Sequence, residues 1–348
     1  MFLRKYASLA ILLGPILDPY VVGTTPLSTL FLFFSAVILF LFGKKRIYAP
    51  KKYLPFVIYS ITIPIFVAVS LGYINNLSSS FSSILFFTIC FLLLSNNIEY
   101  HYIKKYYKYL VLLCCTIFIS QELLYYISGH KFSGLIPFLT IKYSATDMNT
   151  YISQQMFWKR SSSVFLEPAH FAQYLLPYLA IEIGNLYETK KLVSKMSIFI
   201  SGILLLTWSG NAIIVTCLLW MIYLIALKMN IIKKIAIILP LAIVFSYSLF
   251  SYISNTEKGM SLLNRTKQLK SDPENISSGS IRLYRGYYVF KDIPMIAKVF
   301  GVGSGGVVDA IDNTPASIMF FDYERYLNNI QTLLIGYGIF GTFLFLIF

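Results

Sequence analysis

Long apolar runs alternate with short polar segments along most of the chain. About 20 apolar residues form a helix long enough to cross the hydrocarbon core of a bilayer. We therefore predict about ten membrane-spanning helices, at 7–23, 26–43, 54–74, 81–95, 109–128, 168–186, 196–209, 211–227, 235–253 and 328–348. The pattern predicts an all-α, polytopic integral membrane protein, a single transmembrane domain over 1–348 with two long loops at 129–167 and 254–327.

The composition supports this fold class. Of the 348 residues, 57% are hydrophobic and 13% are charged, whereas soluble chains have about 25% charged residues. An ordinary soluble domain is therefore excluded. The net charge of +14 indicates no nucleic-acid partner, because membrane proteins keep an excess of Lys and Arg in their cytoplasmic loops. The cysteines all lie in apolar runs, which favours packing over disulfide formation.

The basic residues of the short loops sort to one side of the predicted membrane. On that side lie Arg4, Lys5, Lys44, Lys45, Arg46, Lys51, Lys52, Lys104, Lys105, Lys108, Lys190, Lys191, Lys195, Lys228, Lys233 and Lys234. The short turns on the opposite side, at 24–25, 75–80 and 210, have none. This asymmetry predicts a cytoplasmic N-terminus and places both long loops outside.

Arginine is distributed differently from lysine. Five of the seven arginines lie in the two outer loops, among them Arg160, Arg282 and Arg285. A guanidinium group offers a planar fork of donors that matches phosphate oxygens, so the outer loops are candidates for a phosphate site. Surface ion pairs are the alternative for each arginine.

The second outer loop contains two local patterns. Residues 281–290 predict an amphipathic helix with Arg282 and Arg285 on one face. The run from Gly301 to Gly306 lacks the lysine of a phosphate-binding loop. We therefore interpret that run as a flexible link, with a weak phosphate motif as the alternative.

The first outer loop ends at a predicted helix start. Proline suits the first turn of a helix, so Pro168 predicts Glu167 at the N-cap and His170 near the third helical position. Glu167 and His170 are candidate general bases. The same face continues at four-residue spacing and should point into the bundle, through Tyr174, Tyr178 and Glu182. The alternative is that Glu167 only caps the helix and that His170 packs.

Further carboxylates lie near the outer ends of two spans. Asp18 and Glu122 are costly in lipid, which favours positions that face a cavity, with structural pairing as the alternative. No cluster of Asp and Glu at metal-ligand spacing accompanies them, apart from the loosely spaced pairs Asp309 with Asp312 and Asp322 with Glu324. The residues therefore favour chemistry without a metal or other cofactor.

Several of these segments, in this order, resemble the bacterial O-antigen and capsular polysaccharide polymerases of Wzy type, which share a superfamily with the O-antigen ligases. The segments are Arg160–Ala172, Leu206–Gly210, Arg282 and Arg285 followed by Gly301–Gly303, and Asn328–Gly341. The resemblance implies a glycosyltransferase of the bacterial cytoplasmic membrane. Its activity would be transfer of a growing glycan from undecaprenyl diphosphate to a lipid-linked repeat unit at the outer face.

The resemblance implies roles for particular residues. Arg160, Arg282 and Arg285 would stabilise the diphosphate leaving group, Glu167 or His170 would deprotonate the acceptor hydroxyl, and Tyr174 would contact substrate. Direct attack would be inverting and metal-independent. The expected partners are the undecaprenyl-diphosphate-linked glycan, the lipid bilayer and, as a candidate, a chain-length regulator protein. The family usually continues beyond the point that corresponds to Phe348, so we expect a C-terminal truncation.

Other functions remain as alternatives. Ligases of this superfamily have a His-Asn pair before the last helices, where this chain has Leu327-Asn328-Asn329. The spaced Arg-x10-Gly motifs of some polymerases are also absent as such. A flippase or other transporter would favour internal repeats and charges near the bilayer midplane, and the sequence has neither in clear form. A structural subunit without catalysis would not need outer arginines grouped with Glu and His.

Overall fold

A computed structural model describes most of the chain. The described residues are 2–23, 25–43, 54–74, 77–129, 132–141, 161–207, 209–227, 278–315 and 327–347. These residues are about 79% helical, with almost no sheet among them, so the all-α prediction is confirmed. The predicted span at 235–253 and the side chain of Arg160 lie outside the described residues.

Twelve helices occur in the described residues. In chain order they are α1 (Phe2–Leu17), α2 (Leu27–Phe42), α3 (Leu54–Ser70), α4 (Leu77–Asn97), α5 (Tyr100–Ser128), α6 (Pro168–Thr189), α7 (Lys195–Leu206), α8 (Gly210–Ala226), α9 (Ser278–Asp292), α10 (Met295–Phe300), α11 (Gly303–Asp312) and α12 (Asn329–Ile347). Between α1 and α2, the two-residue strands β1 (Val21–Val22) and β2 (Thr25–Pro26) pair antiparallel.

Two of the described helices, α5 and α12, are long and apolar enough to cross a membrane. Shorter apolar helices occur at Leu27–Phe42, Leu54–Ser70, Thr88–Asn97, Lys195–Leu206 and Ala212–Ala226. These helices alone do not establish the predicted ten spans. Helix α5 begins at Tyr100 rather than at 109, because hydrophobicity locates only the apolar part of a helix, and the Tyr and Lys residues before it also support helical structure.

The chain divides into two compact units. Unit 1 comprises Met1–Ile47 and Cys90–Ile235, and unit 2 comprises Tyr48–Ile89 and Ala236–Phe348. The prediction of a single transmembrane domain therefore stays a prediction.

Unit 1 is built around α5 and α6. Helix α1 packs against α2 and α5, and α6 packs against α5, α7 and α8. Their shared core consists of aromatic and aliphatic side chains, including Phe118, Phe171, Leu175, Tyr178 and Leu204.

In unit 2, α3, α9, α10 and α11 pack against α12. The amphipathic helix predicted at 281–290 is present as α9. The prediction of a flexible link at Gly301–Gly306 is wrong, because α11 begins at Gly303 and buries Gly305 and Gly306. Small residues allow this helix to approach α3 and α12 closely, so the glycines serve packing.

Candidate functional site

The start of α6 has the predicted arrangement. Glu167 is the N-cap residue, with φ −129° and ψ 149°, and Pro168 occupies the first turn. His170 is then the third helical residue and is exposed, whereas Glu167 is half-buried. The Glu167 side chain makes no capping hydrogen bond. A role limited to side-chain capping therefore does not describe this carboxylate.

The tyrosines that follow on α6 point into the bundle. Tyr174 and Tyr178 are buried, as predicted for this face, whereas His170 at its start is exposed. The Tyr174 hydroxyl donates to the Leu12 carbonyl at 3.1 Å, and the Tyr178 hydroxyl lies 2.9 Å from Glu182 Oε1. The Tyr174 hydroxyl is therefore hydrogen-bonded within unit 1. Its contact with substrate stays a prediction.

Gln121 fixes the segment that leads into α6. Its Oε1 accepts a hydrogen bond from the Ser163 backbone N–H at 2.8 Å, and its Nε2 donates to the Ser163 and Phe132 carbonyls at 3.2 Å each. The Ser163 hydroxyl donates to the Cys114 carbonyl at 2.7 Å. Ser163 has φ 57°, a conformation that is uncommon for a residue with a Cβ. These bonds hold the turn in place just before Glu167.

The other described part of loop 129–167 docks onto the same end of unit 1. The Ile136 N–H donates to the Tyr20 hydroxyl at 2.8 Å, and the Val21 N–H donates to the Thr140 carbonyl at 2.8 Å. A Cβ added at Gly134 would overlap the Ser163 carbonyl. The ends of α1 and α5 and the start of α6 therefore meet beneath this loop.

Two further carboxylates lie at this end. Glu122 Oε1 accepts from the Ser161 N–H at 3.3 Å, and Asp18 Oδ1 accepts from the Ser28 hydroxyl at 3.1 Å. Both carboxylates thus have hydrogen-bond partners within the protein, which was the alternative to a position that faces a cavity. The Ser161 hydroxyl is buried without a hydrogen-bond partner among the described residues. With Glu167, the described residues give this end three carboxylates.

The opposite end of unit 1 is basic. Arg4 pairs with Glu99, Lys5 Nζ lies 5.6 Å from the centre of the Tyr102 ring, and Lys104 Nζ donates to Asn185 Oδ1 at 2.6 Å. These contacts join the starts of α1 and α5 to the end of α6. The cations described at this end are Arg4, Lys5, Lys104, Lys105, Lys108, Lys190, Lys191 and Lys195. The described lysines and arginines of unit 1 therefore all lie at this end, together with the carboxylates of Glu99 and Glu188.

Two of the three predicted phosphate ligands belong to unit 2, and the third, Arg160, lies outside the described residues. Arg282 and Arg285 both belong to α9 in unit 2; Arg285 is buried, and the Arg282 side chain lies outside the described part. Next to Arg285, a Cβ added at Gly286 would lie 2.5 Å from Gln331 Cδ, so α9 packs directly on the start of α12. The structure thus groups Glu167, His170 and Tyr174 in unit 1 and the two α9 arginines in unit 2.

Gln121 was not among the residues predicted from the sequence. The neighbouring Glu122 was singled out because of its charge, yet Gln121 is the more buried of the two and makes more of the described hydrogen bonds. A useful signal was present in the sequence. An amide in the apolar run Ile117–Ile127 needs hydrogen-bond partners wherever it is buried.

In the part of the chain that the structure describes, no three His, Cys, Asp or Glu side chains are grouped as metal ligands would be. Comparison of the chain with known protein families, characterised proteins and solved structures gave no match. The function is therefore argued from the residues and their arrangement.

Proposed function

We propose that the chain is a membrane glycosyltransferase that polymerises undecaprenyl-diphosphate-linked repeat units into O-antigen or capsular polysaccharide. The observation that carries the proposal is the start of α6. There a half-buried carboxylate, Glu167, makes no bond to its own helix, and His170 is exposed in the first turn. Both groups have the chemistry of a general base for a sugar hydroxyl.

The proposed topology has about ten spans in the bacterial cytoplasmic membrane, with the N-terminus in the cytoplasm. The grouping of the described lysines and arginines at one end of unit 1 supports this orientation, because the Lys- and Arg-rich side of a membrane protein stays in the cytoplasm. The opposite end, with Glu167 and His170, then faces the outer leaflet. A lipid-linked glycan exposed at that surface would reach this end without crossing the bilayer.

In the proposed reaction, the acceptor hydroxyl oxygen attacks the anomeric carbon of the donor glycan. The new glycosidic bond forms as the bond from that carbon to the diphosphate oxygen breaks, and the hydroxyl proton passes to Glu167 or His170. Direct attack inverts the anomeric configuration. Arg160, Arg282 and Arg285 are proposed to stabilise the departing diphosphate, because guanidinium groups meet developing negative charge on phosphate oxygens.

The test is deletion of the gene followed by separation of the surface glycan by size. A polymerase predicts loss of the long-chain ladder while single repeat units are still exported. Long polymer that is made but left unattached would indicate a ligase. Intermediates trapped on the cytoplasmic side would indicate a flippase, and an unchanged glycan would reject all three functions.

Complementation of the deletion with Glu167→Gln tests the proposed base. This change keeps the size of the side chain but removes its basicity, and loss of a general base typically slows a reaction roughly 100-fold or more. We expect the ladder to be lost while the protein is still present in the membrane. Glu188→Gln, an exposed carboxylate at the basic end of unit 1, is the matched control and should restore the ladder. Restoration by Glu167→Gln would assign the proton transfer to another group.

A further inference from the structure

Helix α5 is longer than the apolar part of a bilayer. At 1.5 Å per residue its 29 residues extend about 43 Å, whereas the hydrocarbon core is roughly 30 Å thick and takes about 20 residues. Counting back about 20 residues from the helix end at Ser128 reaches Tyr109. The first turns of α5, Tyr100–Lys108, therefore extend beyond the hydrocarbon into the level of the lipid headgroups.

An exposed stripe lies along α5, interrupted at 117–122, where the side chains are buried or half-buried. Its first part carries His101, Lys105, Lys108 and Tyr109, and its later part carries Leu113, Thr116, Leu123 and Ile127. The other face, with Tyr107, Val111, Cys114, Cys115, Phe118 and Gln121, is buried in unit 1. The stripe thus changes from basic and aromatic to largely apolar at the depth where the hydrocarbon begins.

The cations at this end of unit 1 differ in what they contact. Arg4, Lys5 and Lys104 are engaged by Glu99, Tyr102 and Asn185. Lys105 and Lys108 are exposed and have no ion pair or hydrogen-bond partner among the described residues. Two like charges three residues apart on one helix face repel each other, so an anion between them would be stabilising.

We propose that Lys105 and Lys108, with the exposed ring of Tyr109, bind the headgroup of an anionic phospholipid. The two ammonium groups complement the headgroup phosphate, and a tyrosine ring suits the membrane–water boundary. The lipid's acyl chains would cover Leu113 and the apolar residues beyond it. This continuity from charge to apolar surface favours a lipid over a soluble phosphate.

The experiment uses the purified full-length protein in detergent micelles. Dioleoylphosphatidylglycerol, which is anionic, and dioleoylphosphatidylcholine, which is neutral overall, are titrated separately, and bound lipid is counted by native mass spectrometry. Each lysine near an anionic headgroup contributes roughly a fivefold gain in affinity. Replacing both lysines, as K105Q/K108Q, should weaken phosphatidylglycerol binding on the order of 25-fold and leave phosphatidylcholine binding unchanged.

A matched control removes the same charge elsewhere. The variant K190Q/K191Q changes two exposed lysines between α6 and α7 and should keep the preference for phosphatidylglycerol, as should K105R/K108R. Equal loss in K190Q/K191Q would overturn the proposal, since net charge alone would then explain binding. Absence of any preference in the unmodified protein, or displacement of the lipid by an equal concentration of inorganic phosphate, would also overturn it. The lipid site rests on the proposed crossing of the bilayer by α5. None of these measurements uses polymerase activity, so failure of the lipid site and failure of the proposed enzyme are distinguishable.

Discussion

The two units hold their helices together in different ways. In unit 1, large side chains fill the space between helices, and polar atoms at their ends bond the backbone of neighbouring helices. The Tyr107 hydroxyl donates to the Tyr174 carbonyl, the Tyr174 hydroxyl to the Leu12 carbonyl, and Gln121 bonds both backbone groups of Ser163. The stability of unit 1 thus depends on hydrogen bonds from the polar atoms of these side chains.

In unit 2, the backbones of neighbouring segments approach each other closely at glycines, which have no side chain. A Cβ added at Gly301 would overlap the Gly336 carbonyl, and one added at Gly338 would overlap the Val299 carbonyl. Gly338 also breaks the regular geometry of α12, with φ 66° and ψ −176°. The Val302 N–H donates to the Ile335 carbonyl at 3.1 Å, which joins the two backbones directly.

The difference shows two ways in which helices can be packed together. Close backbone approach gains dispersion contacts from small residues, while side-chain hydrogen bonds link helices that stand farther apart. Unit 2, with its close backbone approach, should lose stability when one methyl group is added. Unit 1, with its side-chain hydrogen bonds, should lose stability when one polar group is removed.

The largest effect is expected for Gly301→Ala in unit 2. The new methyl group would overlap backbone atoms of α12, and Gly301 has φ 77°, so overpacking and backbone strain add to about 2–5 kcal/mol of lost stability. The thermal unfolding midpoint in detergent and the yield of monodisperse protein measure this loss.

Gly23→Ala is the control for the backbone term alone. Gly23 also has a positive φ, of 63°, but a Cβ there would meet no atom within 4 Å. We expect Gly23→Ala to lower the stability by about 1–2 kcal/mol, because only the left-handed backbone conformation disfavours the new side chain. Equal losses of stability for the two variants would show that the close backbone approach at Gly301 contributes nothing to the stability of unit 2.

Much of the helical fold was predictable from the sequence, because apolar runs mark the cores of helices. Helix α2 lies at Leu27–Phe42 and α12 at Asn329–Ile347, each within a residue or two of the prediction. The fold of loop 254–327 was only partly predictable. Its amphipathic segment appeared as α9, but the glycine run was misinterpreted, since composition alone does not distinguish a mobile glycine from one that a neighbouring backbone requires.

The candidate site was predictable where local chemistry determined it. Pro168 alone placed Glu167 at the N-cap, because proline has a strong preference for the first helical turn. The contacts of Gln121 with Ser163 and Phe132 were not predictable, because they join residues up to 42 positions apart and depend on how the loop docks. Likewise, the sequence did not indicate that Arg285 would be buried.

A smaller but still large effect is expected for Gln121→Leu in unit 1. The change keeps the approximate size of the side chain but removes its amide group. The Ser163 N–H and carbonyl then lose these partners, which should cost about 2–4 kcal/mol of stability. Hydrogen exchange at the Ser163 amide should accelerate, and the unfolding midpoint should fall. Gln173→Leu, the same substitution at an exposed position of α6, should leave both unchanged. If Gln121→Leu behaved like this control, unit 1 would not depend on polar atoms as argued.

The smallest effect concerns tyrosine hydroxyls, which occur in both units. In unit 2 the Tyr59 hydroxyl donates to the Phe300 carbonyl at 2.7 Å and to the Tyr337 carbonyl at 3.1 Å. Phe300 ends α10 and Tyr337 precedes the break at Gly338, so neither carbonyl has the regular partner of a helix interior. In unit 1, by contrast, the Leu12 carbonyl that Tyr174 contacts lies inside α1 and keeps its helical partner.

Removal of each hydroxyl should therefore have unequal consequences. Tyr59→Phe should cost about 1–2 kcal/mol, because buried carbonyls lose a donor, and Tyr174→Phe about 0.5–1 kcal/mol, because its acceptor remains satisfied. Unfolding midpoints of the two variants, measured side by side in the same detergent, give the comparison. A larger loss for Tyr174→Phe would mean that the Phe300 and Tyr337 carbonyls of unit 2 are satisfied by other donors.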